Sequence, residues 1–426
     1  MRAPCWVLTA LLVPVIAFAD PAGESLRAAI RAYQAKDYTG FLGHMREVHA
    51  REPSVPRVIY NLASAEALAG SPDEAIKLLH RLAATGASFA IDKDDDFRAL
   101  RSRADFQAEV RAMKSNLAPR GRGEPAFTLR ERELLTEGVA YDGKTRTLFV
   151  SSVRHRKIVA IDERGKQRDF ITEAQDGIAG VFGMAADPVR RTLWASSTAL
   201  PHMIGYRAED KDRSGLYKYD LATGKLVASY PVPPDGRPHA LGDVIVSSHG
   251  DAYTTDSASP TIYRVAAGGD ALEVVVAGGF DSLQGLALSP DEHTLYVADY
   301  GRGISAVNLA DKTVARLTVA PAIAATGIDG LYLHRGRLIA TQNGLEPHRV
   351  LAFDLDRSAD RPATQLVAQR IVLSGDPRIA DLSLGVVVGD ALYLNAAAGW
   401  AHYGDDGAPN AEPAAPHAIL KLALPR

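Results

Sequence analysis

The segment Thr136 to Ser152, TEGVAYDGKTRTLFVSS, reads as a strand, a tight turn around Asp142 and Gly143, and a second strand, with a carboxylate, Glu137, directly before a glycine at its mouth. The same unit recurs. VFGMAADPVRRTLWASS, LGDVIVSSHGDAYTTD, LQGLALSPDEHTLYVAD, GIDGLYLHRGRLIATQ and SLGVVVGDALYLNA repeat it, and most are followed by a third strand such as KIVAID, GLYKYD, TIYRVA, GISAVN or RVLAFD. Six units of three or four strands predict a six-bladed propeller over residues 128–426. A β-sandwich would not repeat one internal motif six times.

Counting five positions back from the first turn residue of each unit gives the pairs Glu137-Gly138, Phe182-Gly183, Gly242-Asp243, Gln284-Gly285, Asp329-Gly330 and Leu384-Gly385. Each pair opens the innermost strand of its blade. Propellers crowd those strands around a central channel, so the six first members are expected to ring one mouth, with glycine permitting close backbone approach. The ring then supplies Glu137, Gln284 and Asp329, with Asp243 beside them.

Loops after the second strand of each blade fall on the same face. They carry His155 in VRHRK, His202 and Arg207 in TALPHMIGYRAEDKDRSG, and Asp299, Tyr300 and Arg302 in DYGRG; Asn343 and His348 lie in QNGLEPH, and Trp400 and His402 in the segment 395–417. Two carboxylates and an amide oxygen converging in a channel are hard oxygen ligands suited to Ca²⁺ or Mg²⁺ and compatible with Mn²⁺ or Zn²⁺. The same positions also suit a channel lined by solvated polar groups.

Upstream the texture is helical. From Asp20 to about Asn116 apolar residues recur every three or four places, and a shift of 34 residues lays Ala29 on Ala63, Phe41 on Ala75, Met45 on Leu79 and Val48 on Leu82. YNLASAEALAGSPDEAIKLLHRL, Tyr60 to Leu82, resembles tetratricopeptide repeats, with Gly70 ending one helix and Ser71 and Glu74 capping the next. Phe97, Leu100 and Phe106 are expected to cover the open end of the stack. The helical domain, 20–117, reads as a structural cap or as a docking surface for a protein partner, and APRGRGEPAF, 118–127, as a linker.

MRAPCWVLTALLVPVIAFAD carries Arg2, an apolar run and the small-x-small end Ala17-Phe18-Ala19, the pattern of a secretory signal over residues 1–19. The mature chain is then expected to be exported, periplasmic or secreted, and to lack a membrane span. The only cysteine, Cys5, lies in that leader, so the mature chain has no disulfide, thiolate metal site or cysteine nucleophile. A formal net charge of -3 over 426 residues gives no electrostatic argument for nucleic acid. Gly138 to Thr145, GVAYDGKT, matches the letters G-x-x-x-x-G-K-[ST], but it reads as strand, turn and strand rather than a loop that opens a helix, so it is no phosphate loop; there is no G-x-S-x-G elbow and no H-E-x-x-H.

TEGVAYD, LGDVIV, LQGLALSPDEHTLYVADY and GIDGLYL, in this order, resemble the gluconolactonase, regucalcin and luciferin-regenerating-enzyme superfamily of six-bladed propellers with a divalent metal in the channel. The resemblance implies metal ligation by Glu137, Gln284 and Asp329, with Gln284 standing where the family has asparagine. It also implies hydrolysis of a lactone or ester, with Asp329 or His155 transferring the proton and Ca²⁺ as the first-choice ion. The chain departs from the family at Gly242 and Ala240, where a further asparagine and an arginine are usual. A propeller that binds a small molecule without turning it over is the alternative.

Overall fold

The computed structural model describes residues 21–356, 362–410 and 416–426. The expected leader, with Cys5, lies outside the described residues. Among the described residues six sheets follow the helical region, five antiparallel sheets of four strands and one of five whose outermost strand, Thr318–Val319, pairs parallel with Gln365–Ser374, as six blades of a propeller. The blades open with the strands Val139–Asp142, Gly180–Asp187, Leu241–Val246, Leu283–Leu288, Ile328–His334 and Gly385–Val388, which are the units read from the sequence. Here they are called blades one to six.

Closure is made by strand exchange between the ends of the propeller. The outermost strand of blade six is Glu124–Thr128, which pairs antiparallel with Ala418–Ala423 near the C-terminus. Residues 124–127, placed in the linker by their Pro and Gly content, thus belong to the last blade. Tying the first strand to the last sheet leaves no open edge at the seam.

The core is distributed, one apolar layer per blade interface. Ala140, Ile158 and Ile171 of blade one pack on Met184, Leu193 and Tyr219 of blade two. Trp194 and Tyr230 meet Val244 and Tyr263 across the next interface, and Leu148 and Val150 meet Ile419 across the seam. Since stability rests on these layers, the channel at the centre is free to carry polar groups.

Helices α1 (Pro21–Gln34) and α2 (Tyr38–Arg51) form one pair, and α3 (Pro56–Leu68) and α4 (Pro72–Ala84) a second. The residues equated by the repeat are buried alike: Ala29, Ala63, Met45 and Leu79 are all 0 % exposed. Gly70 ends α3 with φ +84°. Ser71 occupies the N-cap position of α4, but its side chain makes no cap hydrogen bond, contrary to expectation. Phe97 and Leu100 of a 3₁₀ turn and Phe106 of α5 (Ala104–Asn116) close the stack as expected.

The helical region is packed on blade five through a buried arginine. Arg349 is 0 % exposed; its Nη1 donates to the Thr85 carbonyl at 3.1 Å and its Nε to Gln342 Oε1. Gln369 donates to the same Thr85 carbonyl at 2.8 Å. Burial pushes the Arg349 guanidinium down to about 10, with Arg120 adding like-charge repulsion. Two protein donors on one carbonyl at the end of α4 satisfy groups that a free helix terminus would leave to water.

Candidate functional site

The geometry of the mouth comes from a backbone feature repeated in four blades. Register shifts fall between Val181 and Met184, Leu241 and Val244, Leu283 and Leu286, and Ile328 and Leu331, so the ring pair of each blade opposes one residue of the next strand. Such a bulge turns a strand and re-aims its side chains. Hydroxyls on the second strand satisfy the backbone around it: the Gly330 N–H donates to Thr341 Oγ1 at 2.7 Å, and Thr255 Oγ1 donates to the Gln284 carbonyl at 2.9 Å.

The ring glycines are sterically required. A Cβ at Gly138 would stand 2.2 Å from the Phe182 carbonyl oxygen, and one at Gly285 2.3 Å from the Leu331 nitrogen. Each glycine therefore lets one innermost strand touch the next. Gly242 differs, because a Cβ there would meet only Thr255 Oγ1 at 3.5 Å. A Cβ is accommodated there at ordinary contact distance.

Four carboxyls share the channel: Glu137 of blade one, Asp243 of blade three, Asp329 of blade five and Asp381 in the approach to blade six. Each keeps part of its surface open. Glu137 is pushed well above the usual carboxylate range, first by burial and then by the charges of Asp329 and Asp381. Asp329 is pushed up to about 7 by burial, with Asp381 adding repulsion. Burial also lifts Asp243 to about 7, and Asp329 repels it. Among the described residues, no lysine or arginine pairs with any of the four.

Neutral donors hold these groups in place. The Trp400 indole N–H donates to Glu137 Oε1. Asn343 Nδ2 donates to Asp329 Oδ2 at 2.9 Å and to the Leu382 carbonyl at 3.1 Å, and Tyr300 donates to Asn343 Oδ1 at 3.0 Å. Asp381 Oδ2 accepts the Gly399 N–H at 2.6 Å. Tyr332 lies in the same field: its hydroxyl accepts the Gly385 N–H at 2.6 Å, and burial with the charges of Asp243 and Asp329 drives its pKa far upward.

Of the residues singled out in the sequence, Glu137, Asp329, Asp243, Asn343, Tyr300 and Trp400 therefore come together. Gln284 sits on the ring, but its amide nitrogen donates to Ser282 Oγ at 3.1 Å. His202 packs edge-on against Trp400 at 5.1 Å and Tyr403 at 6.4 Å, and His402 lies 5.0 Å from Tyr403.

The others are engaged elsewhere. His155 is paired with Glu173 at 3.3 Å and is absent from the groups acting on Glu137 or Asp329. Arg207 ties its own turn to Asp210 and Glu209. Asp299 accepts the N–H groups of Asp281, Ser282 and Gly301, which staples the loop ahead of Gln284. Arg302 pairs with Asp281 at 3.0 Å, and His348 lies 3.9 Å from Glu346. Asp381 and Tyr332 were not anticipated. Asp381 falls outside the ring register, and the bulge at Asp329-Gly330 shifts the strand's alternation before Tyr332.

A family model described as SMP-30/Gluconolactonase/LRE-like region matches residues 135–366. The chain belongs to this family. The match begins just before Glu137 and runs into blade five, so it takes in Glu137, Asp243, Gln284 and Asp329 and stops before Asp381. Comparison with curated proteins finds no match. Similar solved structures include a gluconolactonase from Xanthomonas campestris, 20% identical, covering 72% of this chain and 99% of its own, with TM-score 0.47. A regucalcin from Agrobacterium tumefaciens, described as a calcium-binding protein, is 17% identical over 71% of this chain and 94% of its own, with TM-score 0.49. A luciferin-regenerating enzyme is 14% identical over 72% and 95%, with TM-score 0.48.

The donor chemistry fits the divalent ion typical of this family in part. Asp329 has one oxygen held by Asn343 and the other left for a ligand, Glu137 is held by Trp400 and Ser383, and the uncompensated negative charge favours a cation. Among the described residues, however, no three His, Cys, Asp or Glu side chains are gathered closely enough to hold an ion by themselves. Neutral oxygens must complete any such site. No helix among the described residues is long and apolar enough to cross a membrane.

Proposed function

We propose that the mouth binds a divalent cation between Glu137 and Asp329, Ca²⁺ first, and that the chain hydrolyses a lactone or ester there. The observation that carries this reading is the set of four channel carboxyls with no lysine or arginine partner among the described residues, three of them pushed upward in pKa by burial and by one another's charge. Gln284 contributes its amide oxygen once its arm leaves Ser282. A divalent ion in such a place supplies Lewis-acid polarisation of a carbonyl and acidifies a bound water.

The protein's own residues orient and hold. Asn343 fixes one oxygen of Asp329 and is fixed in turn by Tyr300, so the second oxygen keeps a set direction. Trp400 does the same for Glu137. Asp329 and Asp243 are the groups positioned to accept a proton at the mouth; His155, engaged with Glu173, is not. Export rests on the leader pattern of residues 1–19, and the helical region serves as a docking surface or cap.

One feature favours the alternative of binding without turnover: Gly242 leaves empty a position where the family carries an amide. Chelator-treated protein should hydrolyse aryl esters or lactones only after Ca²⁺ is restored, and Glu137→Gln and Asp329→Asn should each lose that activity. Turnover that persists in chelator, or in both variants, overturns the proposal.

A further inference from the structure

The mouth has two unlike walls. On one side stand the carboxyls with Asn343 and Tyr300, and the Trp400 indole N–H, which donates to Glu137, joins this side to the other. On the other, Phe182, the ring residue of blade two, lies against Trp400 with ring centroids 6.3 Å apart and planes at 29°, and His202 packs edge-on behind the indole. Both Phe182 and Trp400 remain partly exposed. Gly242, the ring residue of blade three, is the next position round. A Cβ on Gly183 would stand 2.6 Å from the Gly242 carbonyl oxygen, so the two ring positions are in backbone contact. Ring position 242 thus adds no side chain beside Phe182, while Asp243 follows it in the same blade.

From this arrangement we infer that Phe182, Trp400 and Gly242 form a specificity bay for the apolar part of the substrate, selecting an aryl or alkyl lactone or ester over a polyhydroxylated sugar lactone. The inference rests on the proposed hydrolase reading and names its substrate class. Two physical arguments support it. A partly exposed aromatic pair beside a ring position without a side chain rewards apolar surface taken out of water. A polyol, by contrast, needs a free partner for each hydroxyl it buries. The neutral polar side chains of the mouth are committed to one another or to the carboxyls, Asn343 to Asp329, Leu382 and Tyr300, Gln284 to Ser282, and Trp400 to Glu137, and the free carboxyl oxygens are the ones the proposed cation takes.

The test uses the full chain with three probes: dihydrocoumarin and D-gluconolactone for turnover, and dihydroquinolinone, a lactam of the same shape as the first, for binding without reaction. Trp400 reports binding by fluorescence, since Trp194 is buried against Tyr230 in blade two and the third tryptophan, Trp6, belongs to the expected leader. The lactam is expected to bind. Gly242→Asn, which adds a side chain at that ring position, and Phe182→Ser are each expected to weaken it about tenfold or more. Trp400→Phe should remove the signal change.

Lactam affinity unchanged in both Gly242→Asn and Phe182→Ser overturns the bay. So does Ca²⁺-dependent turnover of D-gluconolactone faster than of dihydrocoumarin without lactam binding, while the hydrolase reading survives. Lactam binding that both variants weaken, with no turnover of either lactone, supports the bay and overturns the hydrolase reading alone.

Discussion

Replacing Asp243 by asparagine should stabilise the cation-free protein at alkaline pH and leave it unchanged in acid. In the unfolded chain this carboxyl titrates at its ordinary 3.8, whereas burial in the channel lifts it to about 7. Below both values the folded and unfolded chains hold the proton alike. Between them only the unfolded chain releases it, so stability falls as pH rises and levels off once the folded value is passed. A gap of about three pH units, at about 1.4 kcal/mol each, sets a ceiling of roughly 4 kcal/mol. Asp243 keeps part of its surface open to the channel, and water reaching it reduces the effect to about 1–2 kcal/mol. Asparagine, like the protonated carboxyl, keeps one oxygen to accept the Val244 N–H at 2.8 Å and gives up the second acceptor, so the two chains match in acid. Thermal unfolding in chelator should show the variant melting a few degrees above the parent at about pH 8 and together with it at about pH 4. Curves that coincide at both pH values would show that the channel carboxyls are not held away from ionisation, and the charge argument would fail.

Other outcomes follow from the same structure. Gly285→Ala drives a Cβ to 2.3 Å from the Leu331 nitrogen and should cost about 2–4 kcal/mol, whereas Gly242→Ala, with its nearest contact at 3.5 Å, should leave the melting temperature nearly unchanged. Arg349→Ala removes a donor from the Thr85 carbonyl and from Gln342, and should destabilise by about 2–4 kcal/mol with early proteolysis of the helical region. His239 bridges Asp256 at 2.6 Å and Asp235 at 3.0 Å, and the Asp256 bond raises its pKa. That stabilisation is complete below the imidazole's ordinary value and is lost as pH rises through the higher folded one. His239→Gln should therefore lower the melting temperature at about pH 6 more than at about pH 9.

The propeller was legible because one unit repeats: the residue before each glycine, the turn five positions on and the second strand recur with little change. The helical pairing was legible for the same reason, through Ala29 with Ala63 and Met45 with Leu79. Closure was harder to read, since Glu124–Thr128 lies among prolines and glycines and gains its partner only from the far end of the chain. At the site, ring position identified Glu137 and Asp329, but the orientation of each side chain depends on neighbours remote in sequence. Trp400 reaches Glu137 across 263 positions. Gln284 turns instead to Ser282, two residues away. Asp299, read as a rim residue, caps backbone N–H groups, a role that short polar side chains take at any sharp turn. Tyr332 was hidden by a bulge, which changes strand parity without leaving a clear mark in the sequence.

The most direct test is calorimetric titration of chelator-stripped protein with Ca²⁺, beside the Glu137→Gln, Asp329→Asn double variant, at about pH 8. The charge-deficient channel predicts saturable binding of one ion per chain in the parent, with a higher melting temperature on binding, and neither effect in the variant. Absence of binding in the parent, or equal binding in both proteins, would contradict it.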